Sequence, residues 1–196
     1  MLEKRLEKLK LKLKEADLDG ILITKKENYM YISGFTGTYA YLVITQNNAV
    51  LLTDFRYANQ AKDEAKFFEI IEYEGRLLDA LNNVIASNNI KNLGFEENVI
   101  TYKTYVEMKK NLKVEKLKPV DGMVEDIRII KDAKEIEIIK KAVKIADDAF
   151  LHILNYIKPG VSECEIALEL EHYMKKEGAK GTSFETIVAS GYRSVL

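Results

Sequence analysis

Few residues in the sequence have the types and spacing that metal or acid–base chemistry needs. Glu169 and His172 form an E-x-x-H pair on one helical face, which di-iron bundles use as ligands. Such sites need a second copy and two further glutamates, and the sequence has no second copy. A solvated helix face is therefore the favoured interpretation. His152 is more typical of a packed or surface histidine than of a general base.

Cys164, the only cysteine, falls in the first turn of a predicted helix, where the helix dipole can activate a thiol. A packing role is favoured. A single cysteine also excludes an internal disulfide and fits a reducing compartment.

Two turns could shape a binding site without catalysing a reaction. Gly34 and Gly37 flank Phe35 and Thr36, so this loop could present an aromatic side chain to a substrate. The alternative, that Phe35 plugs the edge of a sheet, has equal weight. Arg193 follows a predicted strand at residues 187–189, in a turn with Ser190 and Gly191, and could meet a carboxylate. Its alternative is a solvated arginine at a strand end.

Asp54 follows one predicted strand and precedes a predicted helix. We expect it to be the N-cap of that helix and to form a local ion pair with Arg56. Direct contact with a substrate is the less favoured reading.

Strands and helices alternate along residues 1–120 and predict an α/β fold, with a mixed, mainly parallel sheet and helices on both faces. Predicted strands occupy 20–24, 40–45, 49–53, 68–72, 92–95 and 114–117, and predicted helices 1–16, 56–65, 77–87 and 101–112. Asn47 and Asn48 supply the turn of a hairpin between the second and third strands.

The alternation of short strands and helices ends after Pro119, and residues 121–126 are predicted to form a short polar connector. A capping box at Asp132 and Glu135 opens a helix of about 25 residues to Ile157, and a second box at Ser162 and Glu165 opens another to Lys176. The long helix has an apolar stripe that we expect to face a core. Residues 183–196 read as a buried strand plus a turn, which suggests that the sequence continues as a longer protein.

Five ordered motifs resemble the Xaa-Pro dipeptidases (prolidases) and aminopeptidases P, whose non-metal relative is creatinase. They are NYMYISGFTGT at 28–38, LTDFRY at 52–57, RIIKDAKEI at 128–136, GVSECEIA at 160–167 and SFETIVASGYRSVL at 183–196. The resemblance implies a creatinase-like amino-terminal domain over 1–120, a linker at 121–126, and the first helices and strand of a pita-bread domain over 127–196.

The resemblance further implies hydrolysis of the bond before proline in proline-containing peptides. The family uses two divalent metals, usually manganese, cobalt or zinc, held by two Asp, one His and two Glu. No ligand of that set can be assigned in this chain, so we expect no metal site here and no activity from the chain alone. The resemblance also implies a homodimer, in which loops of the amino-terminal domain, such as the one formed by Gly34, Phe35, Thr36 and Gly37, lie near the active site of the neighbouring subunit.

Composition limits the other functions. A net charge of −1 and interleaved acidic and basic residues argue against nucleic acid or an anionic membrane as the main partner. The apolar runs are too short for a secretory signal or a membrane span, which favours a cytoplasmic protein. Two alternatives stay open: a non-catalytic creatinase-like protein that dimerises or binds peptides, and a creatinase-type, metal-free amidinohydrolase.

Overall fold

A computed structural model describes residues 1–195, which divide into two compact units, residues 1–130 and residues 131 onward. The first unit contains all six strands of the described chain. The strands are β1 Gly20–Ile23, β2 Tyr41–Thr45, β3 Ala49–Thr53, β4 Glu69–Glu72, β5 Asn92–Glu96 and β6 Lys116–Val120, and the helices are α1 Leu2–Glu15, α2 Lys26–Ser33, α3 Ala58–Glu64, α4 Leu77–Ser87, α5 Tyr102–Asn111 and α6 Met123–Ile129.

The sheet has the order β4-β3-β2-β1-β5-β6, and β2 alone runs against its neighbours. The other strands are parallel, so their carboxyl ends meet at one edge of the sheet. The predicted hairpin is present as β2 and β3, and the α/β fold with a mixed sheet is confirmed. Pro119 lies in β6 at the sheet edge, where a missing N–H donor is tolerated.

Alternating side chains on the central strands build two cores. Ile21, Leu42 and Leu51 face a core formed with α1, α2, α3 and α6. Leu22 and Val43, on the opposite face, pack with α4 and α5. Because both faces are covered, the central strands are mostly apolar, and polar residues such as Asn92 and Glu96 of β5 lie at strand ends.

Two helices of this unit were not predicted. Helix α2 begins at Lys26 without a side-chain cap, and α6 occupies much of the expected connector at 121–126. Val124 and Ile127 of α6 are buried in the core beside α1. The spacing of these two apolar residues, one helical turn apart, outweighs the polar residues around them.

The second unit contains α7 Ala133–Tyr156, α8 Glu163–Lys176 and a short 3-10 turn, Gly191–Val195. Both predicted capping boxes are present, at Asp132 with Glu135 and at Ser162 with Glu165. Of the residues in α7, only Ala149 and Ile153 are buried, whereas Ile139 and Val143 of the predicted core-facing stripe are about half exposed (47% and 53%).

The predicted strand at 187–189 is wrong for the described residues. These residues are irregular, and Ile187 is 83% exposed. A strand needs a neighbour to accept and donate its backbone hydrogen bonds, and the described part of this unit contains no other strand. No helix in the described chain is long and apolar enough to cross a membrane.

The packing of α6 predicts where the first unit can be cut. Burial of Val124 and Ile127 contributes on the order of 3–6 kcal/mol at about 1.5–3 kcal/mol per side chain. We therefore expect a 1–130 fragment to unfold cooperatively in urea, and a 1–120 fragment to be less stable by several kcal/mol. Unfolding followed by tyrosine fluorescence measures both, since the chain has no tryptophan. Equal midpoints for the two fragments would show that α6 is dispensable.

Candidate functional site

The carboxyl edge of the sheet collects the polar side chains of the first unit. The segments that follow β1, β3, β4 and β5 all lie there, because these strands run in the same direction. Open α/β sheets commonly bind ligands at this edge. Three groups occupy it here: the loop of residues 34–38, a tyrosine cluster, and a hydrogen-bonded network around Glu96.

Phe35 anchors the 34–38 loop. Its ring is fully buried, 6.2 Å from the ring centre of Tyr29 and 6.1 Å from that of Tyr57, which it meets edge-on. The Tyr29 hydroxyl donates to the Gly37 carbonyl oxygen at 2.9 Å. A Cβ atom on Gly37 would lie 2.2 Å from Phe35 Cζ, so the close return of the chain over the ring requires glycine. Phe35 therefore occupies the interior, and Thr36 beside it faces solvent.

Thr36 and Thr38 are the exposed members of the loop, and two side chains of α3 hold Thr36. Its backbone N–H donates to Glu64 Oε2 at 2.6 Å, and its hydroxyl donates to the same carboxylate at 3.0 Å. Gln60 Nε2 donates to both the Thr36 hydroxyl oxygen and Glu64. Partial burial works to raise the pKa of Glu64, but the donors from Thr36 and Gln60 outweigh it and lower that pKa. The carboxylate stays ionised and fixes the loop.

Asp54 and Arg56 form the local ion pair expected from the sequence. Arg56 Nη2 lies 2.7 Å from Asp54 Oδ2, and the Arg56 guanidinium lies 5.8 Å above the ring of Tyr39. The predicted N-cap role of Asp54 is wrong, because α3 begins after Tyr57. Asp54 instead accepts the backbone N–H of Arg56, closing a turn. Hydrogen bonds from the Arg56 side chain lower the pKa of Asp54.

The tyrosine cluster consists of Tyr39, Tyr41 and Tyr73. The hydroxyl oxygens of Tyr39 and Tyr73 are 2.5 Å apart, and the rings of Tyr39 and Tyr41 meet edge-on. Burial raises the pKa of Tyr41 to about 12 and, together with the hydrogen bond to Tyr39, raises the pKa of Tyr73. Tyr41 and Tyr73 therefore stay protonated near neutral pH and act as hydrogen-bonding groups and not as bases.

Glu96, at the end of β5, organises the third group. Its Oε2 accepts the backbone N–H groups of Thr24 and Lys25 at 2.7 and 2.8 Å, and its Oε1 accepts Asn28 Nδ2 at 2.6 Å. Arg128 of α6 donates to Asn28 Oδ1 at 2.8 Å. The network joins β1, β5, α2 and α6.

An ion pair extends this network. Lys25 Nζ lies 2.7 Å from Glu125 Oε1, and Asn28 Nδ2 also donates to that oxygen. Partial burial works to raise the pKa of Glu125, but the hydrogen bond from Lys25 prevails and lowers it. The same hydrogen bond raises the pKa of Lys25. Both groups stay charged near neutral pH.

Arg193 lies in the second unit, in the 3-10 turn, with its side chain 58% exposed. Its Nε is 3.5 Å from Glu163 Oε2, and Glu163 also accepts the backbone N–H of Ser190 at 2.7 Å. Thr186 donates to Glu171 at 2.9 Å. Carboxylates of α8 thus hold the segment that carries Arg193.

The candidate ligand side chains of the second unit do not form a metal site. His152 Nε2 lies 2.6 Å from Glu169 Oε1, and the His152 ring stacks on Tyr173 with ring centres 4.3 Å apart. Among residues 1–195, no group of three or more His, Cys, Asp and Glu is placed to hold a metal ion. Cys164 is exposed and not packed inside.

Comparison with known proteins identifies both units. Residues 5–130 match the creatinase/prolidase N-terminal domain, and residues 137–196 match metallopeptidase family M24. The chain belongs to the creatinase/prolidase N-terminal domain family. It spans about half the length of the curated relatives that it matches.

Individual relatives of this creatinase/prolidase-family chain are peptidases by name, and they align with it over most of its length. An uncharacterised peptidase of Bacillus subtilis is 47% identical over 98% of the chain and 54% of the relative. The Xaa-Pro dipeptidase of Pyrococcus horikoshii is 37% identical over 91% of the chain and 50% of the relative. A solved Xaa-Pro dipeptidase from Bacillus anthracis, 41% identical, superposes with a TM-score of 0.95 over 100% of this chain and 55% of that one.

Sequence reasoning located the 34–38 loop and the Asp54–Arg56 pair of this creatinase/prolidase-family chain but missed Glu96, Asn28 and Arg128. A signal for Glu96 was present, since it directly follows an apolar strand in a mainly parallel sheet. Asn28 and Arg128 begin the family motifs at 28–38 and 128–136, but no feature of the neighbouring sequence indicates that the two side chains contact each other.

The anchoring role of Phe35 predicts a large loss of stability on truncation. Phe35→Ala should lower the free energy of unfolding by about 3–5 kcal/mol, because it empties a fully buried aromatic site. Tyr102→Ala is the matched control: Tyr102 is 81% exposed, and its truncation should change stability by less than about 0.5 kcal/mol. Urea unfolding measures both. Similar values for the two variants would contradict the anchoring role.

The Lys25–Glu125 pair predicts a component of acid sensitivity. A carboxyl group whose pKa is lowered in the folded chain stabilises it above the unfolded value of 4.5, and that stability is lost as pH falls through the folded pKa. Glu125→Gln should therefore lower stability at pH 7 and make the decline from pH ~5 to ~3 shallower than in the unmodified chain. Glu74→Gln, at an exposed position without a described side-chain contact, is the control. Parallel acid limbs for Glu125→Gln and the unmodified chain would refute the assignment.

Proposed function

We propose that this chain forms the amino-terminal half of a metal-dependent peptidase that hydrolyses the bond before proline, in dipeptides or at peptide amino termini. The carrying observation is that both units match a solved Xaa-Pro dipeptidase over the whole chain. The relatives' names supply the reaction and the substrate class. We further propose that the creatinase-like domain extends through α6, over residues 1–130, and that the pita-bread domain begins after it; the boundaries 1–120, 121–126 and 127–196 expected from the sequence would separate α6 from the core in which it packs.

The residues described here do not fit a metal centre, since His152 and Glu169 form only a pair. The metal ions of the proposed peptidase, manganese, cobalt or zinc, would therefore bind to residues of the other half. They would supply Lewis-acid activation of the scissile carbonyl group. The contribution of this chain is to position and enclose the substrate.

We propose that the 34–38 loop is the substrate-shaping element of the first unit. Phe35 fixes the loop from inside, and Glu64 and Gln60 fix it from the surface, so Thr36 presents one conformation to solvent. A rigid loop loses little entropy on contact with a ligand. Arg193 is proposed to meet a substrate carboxylate; its pairing with Glu163 keeps its charge oriented until then.

A homodimer in the cytoplasm completes the proposal. Exposed aromatic residues on the first unit, Phe55 and Phe67, support self-association, because large apolar side chains gain most from burial at an interface. An exposed free cysteine fits a reducing compartment.

The proposal predicts that peptidase activity requires both halves. The 196-residue chain should not hydrolyse Leu-Pro with added manganese, cobalt or zinc, whereas the chain joined to the remaining half of the gene product should, and chelation should abolish the activity. Sedimentation equilibrium of the same samples checks the dimer. Cleavage by the 196-residue chain would refute the proposal that the metal-binding residues lie in the other half. A metal-independent amidinohydrolase activity, or binding of proline peptides without turnover, would favour the creatinase-type or the non-catalytic alternative.

A further inference from the structure

A groove lies between α4 and α5, on the opposite face of the sheet from the 34–38 loop. It has a volume of about 630 Å³, within the ordinary range for small-molecule sites. Leu22 and Thr24 place it at the carboxyl end of β1. The chain leaves β1 toward β2 on one side and leaves β5 toward β6 on the other. The groove therefore lies at the switch point of the sheet, where open α/β folds bind ligands.

The floor of this α4–α5 groove is apolar and rigid. Leu22, Leu81 and Met108 form it and are 1–2% exposed. Leu77 and Leu78, at the start of α4, are half-buried and form one wall. Leu77, Leu78 and Ile100 are therefore the apolar side chains that a ligand can contact, and the buried layer beneath holds them in place.

Asn82 fixes the separation of the two helices. Its Nδ2 donates to the Asn111 carbonyl oxygen at 2.9 Å, and its Oδ1 accepts the Lys113 backbone N–H at 2.8 Å. These bonds tie the middle of α4 to the carboxyl end of α5. The groove is therefore a feature of the packed domain.

The rim is polar and carries more positive than negative charge. Arg76 and Lys110 line it together with one carboxylate, Glu107. Neither Arg76 nor Lys110 has an ion-pair partner among the described contacts. The adjoining segment 102–118 contains six lysines and two glutamates, although the whole chain has a net charge of −1.

Part of this basic character has another purpose. Lys116 and Lys118 lie on β6, the edge strand, where charge discourages pairing with another sheet. Arg76 and Lys110 lie on neither edge strand. Protection of the sheet accounts for neither residue. Lys110 lies in the last turn of α5, where a positive charge also complements the helix dipole, whereas Arg76 lies at the start of α4, where a positive charge opposes it.

We propose that the α4–α5 groove binds a small apolar carboxylate, such as the carboxyl-terminal residue of a peptide or an N-acylated amino acid. The apolar group lies against Leu77, Leu78 and Ile100, above the buried layer of Leu22, Leu81 and Met108, and the carboxylate meets Arg76 and Lys110. Two cations beside one carboxylate leave a single net positive charge, which matches a monoanion better than a phosphate. The site is separate from the 34–38 loop and does not depend on the proposed peptidase function.

The test is a titration of the ¹⁵N-labelled 196-residue chain with N-acetyl-leucine, followed by amide chemical shifts. Binding should shift amides of α4 and α5 with a Kd of about 1 mM, a modest affinity appropriate to so small a ligand. N-acetyl-leucinamide, which has the same apolar group but no charge, should bind at least fivefold more weakly. Acetyl-alanyl-leucine, a peptide arm, distinguishes a free amino-acid derivative from a peptide end: comparable or tighter binding supports the peptide end, and weaker binding supports the single residue.

Arg76→Gln and Lys110→Gln should each weaken binding of N-acetyl-leucine at least threefold. Lys103→Gln is the control, since Lys103 lies on α5 outside the groove and its substitution removes the same single positive charge. Loss of affinity equal to that of the control would show non-specific attraction and overturn the proposal. Equal affinity for the acid and the amide would overturn the carboxylate assignment, and shifts confined to other elements would overturn the site.

Discussion

The Glu96 carboxylate is the interaction on which the first unit depends most. A buried carboxylate is costly unless every part of it is hydrogen-bonded. Glu96 is 7% exposed, and its oxygens accept the Thr24 and Lys25 backbone N–H groups and the Asn28 amide. Thr24 and Lys25 lie on the turn from β1 into α2, and Asn28 lies in the first turn of α2. The requirement to satisfy one charge therefore fixes the path of the chain between β1 and α2.

The same network explains two helices that local signals did not predict. Helix α2 has no capping side chain of its own; Glu96, about 70 positions away, fixes the backbone immediately before it. Helix α6 is fixed through Arg128, which donates to Asn28, and through the ion pair of Glu125 with Lys25. Each stabilising partner is distant in sequence, so a reading of local periodicity and caps could not find it.

Elements with local causes were predictable. Both capping boxes, the β2–β3 hairpin and the alternation of strands with α4 and α5 rest on residues within a few positions of one another, and all are present. The spacing of Gly34 and Gly37 located the 34–38 loop. Burial of Phe35 was not decidable from glycine spacing, because its neighbours Tyr29 and Tyr57 come from two different helical segments. Local chemistry thus predicted the elements, and tertiary contacts decided their roles.

The predicted strand at 187–189 shows that the lack of a tertiary partner can also prevent an element that the local sequence favours. Its apolar, β-branched residues favour a strand, but a strand is completed by a neighbour and not by its own sequence. In the first unit every central strand has neighbours on both sides, and apolar runs become buried there. In the second unit the described neighbours of this segment are helices, and Glu171 and Glu163 of α8 accept its Thr186 hydroxyl and Ser190 backbone N–H. Side-chain carboxylates replace the missing ladder at the two ends of the segment, while the Ile187 side chain between them stays in solvent. The conformation of this segment therefore depends on the available acceptors, and an adjacent strand edge would change it without any change in sequence.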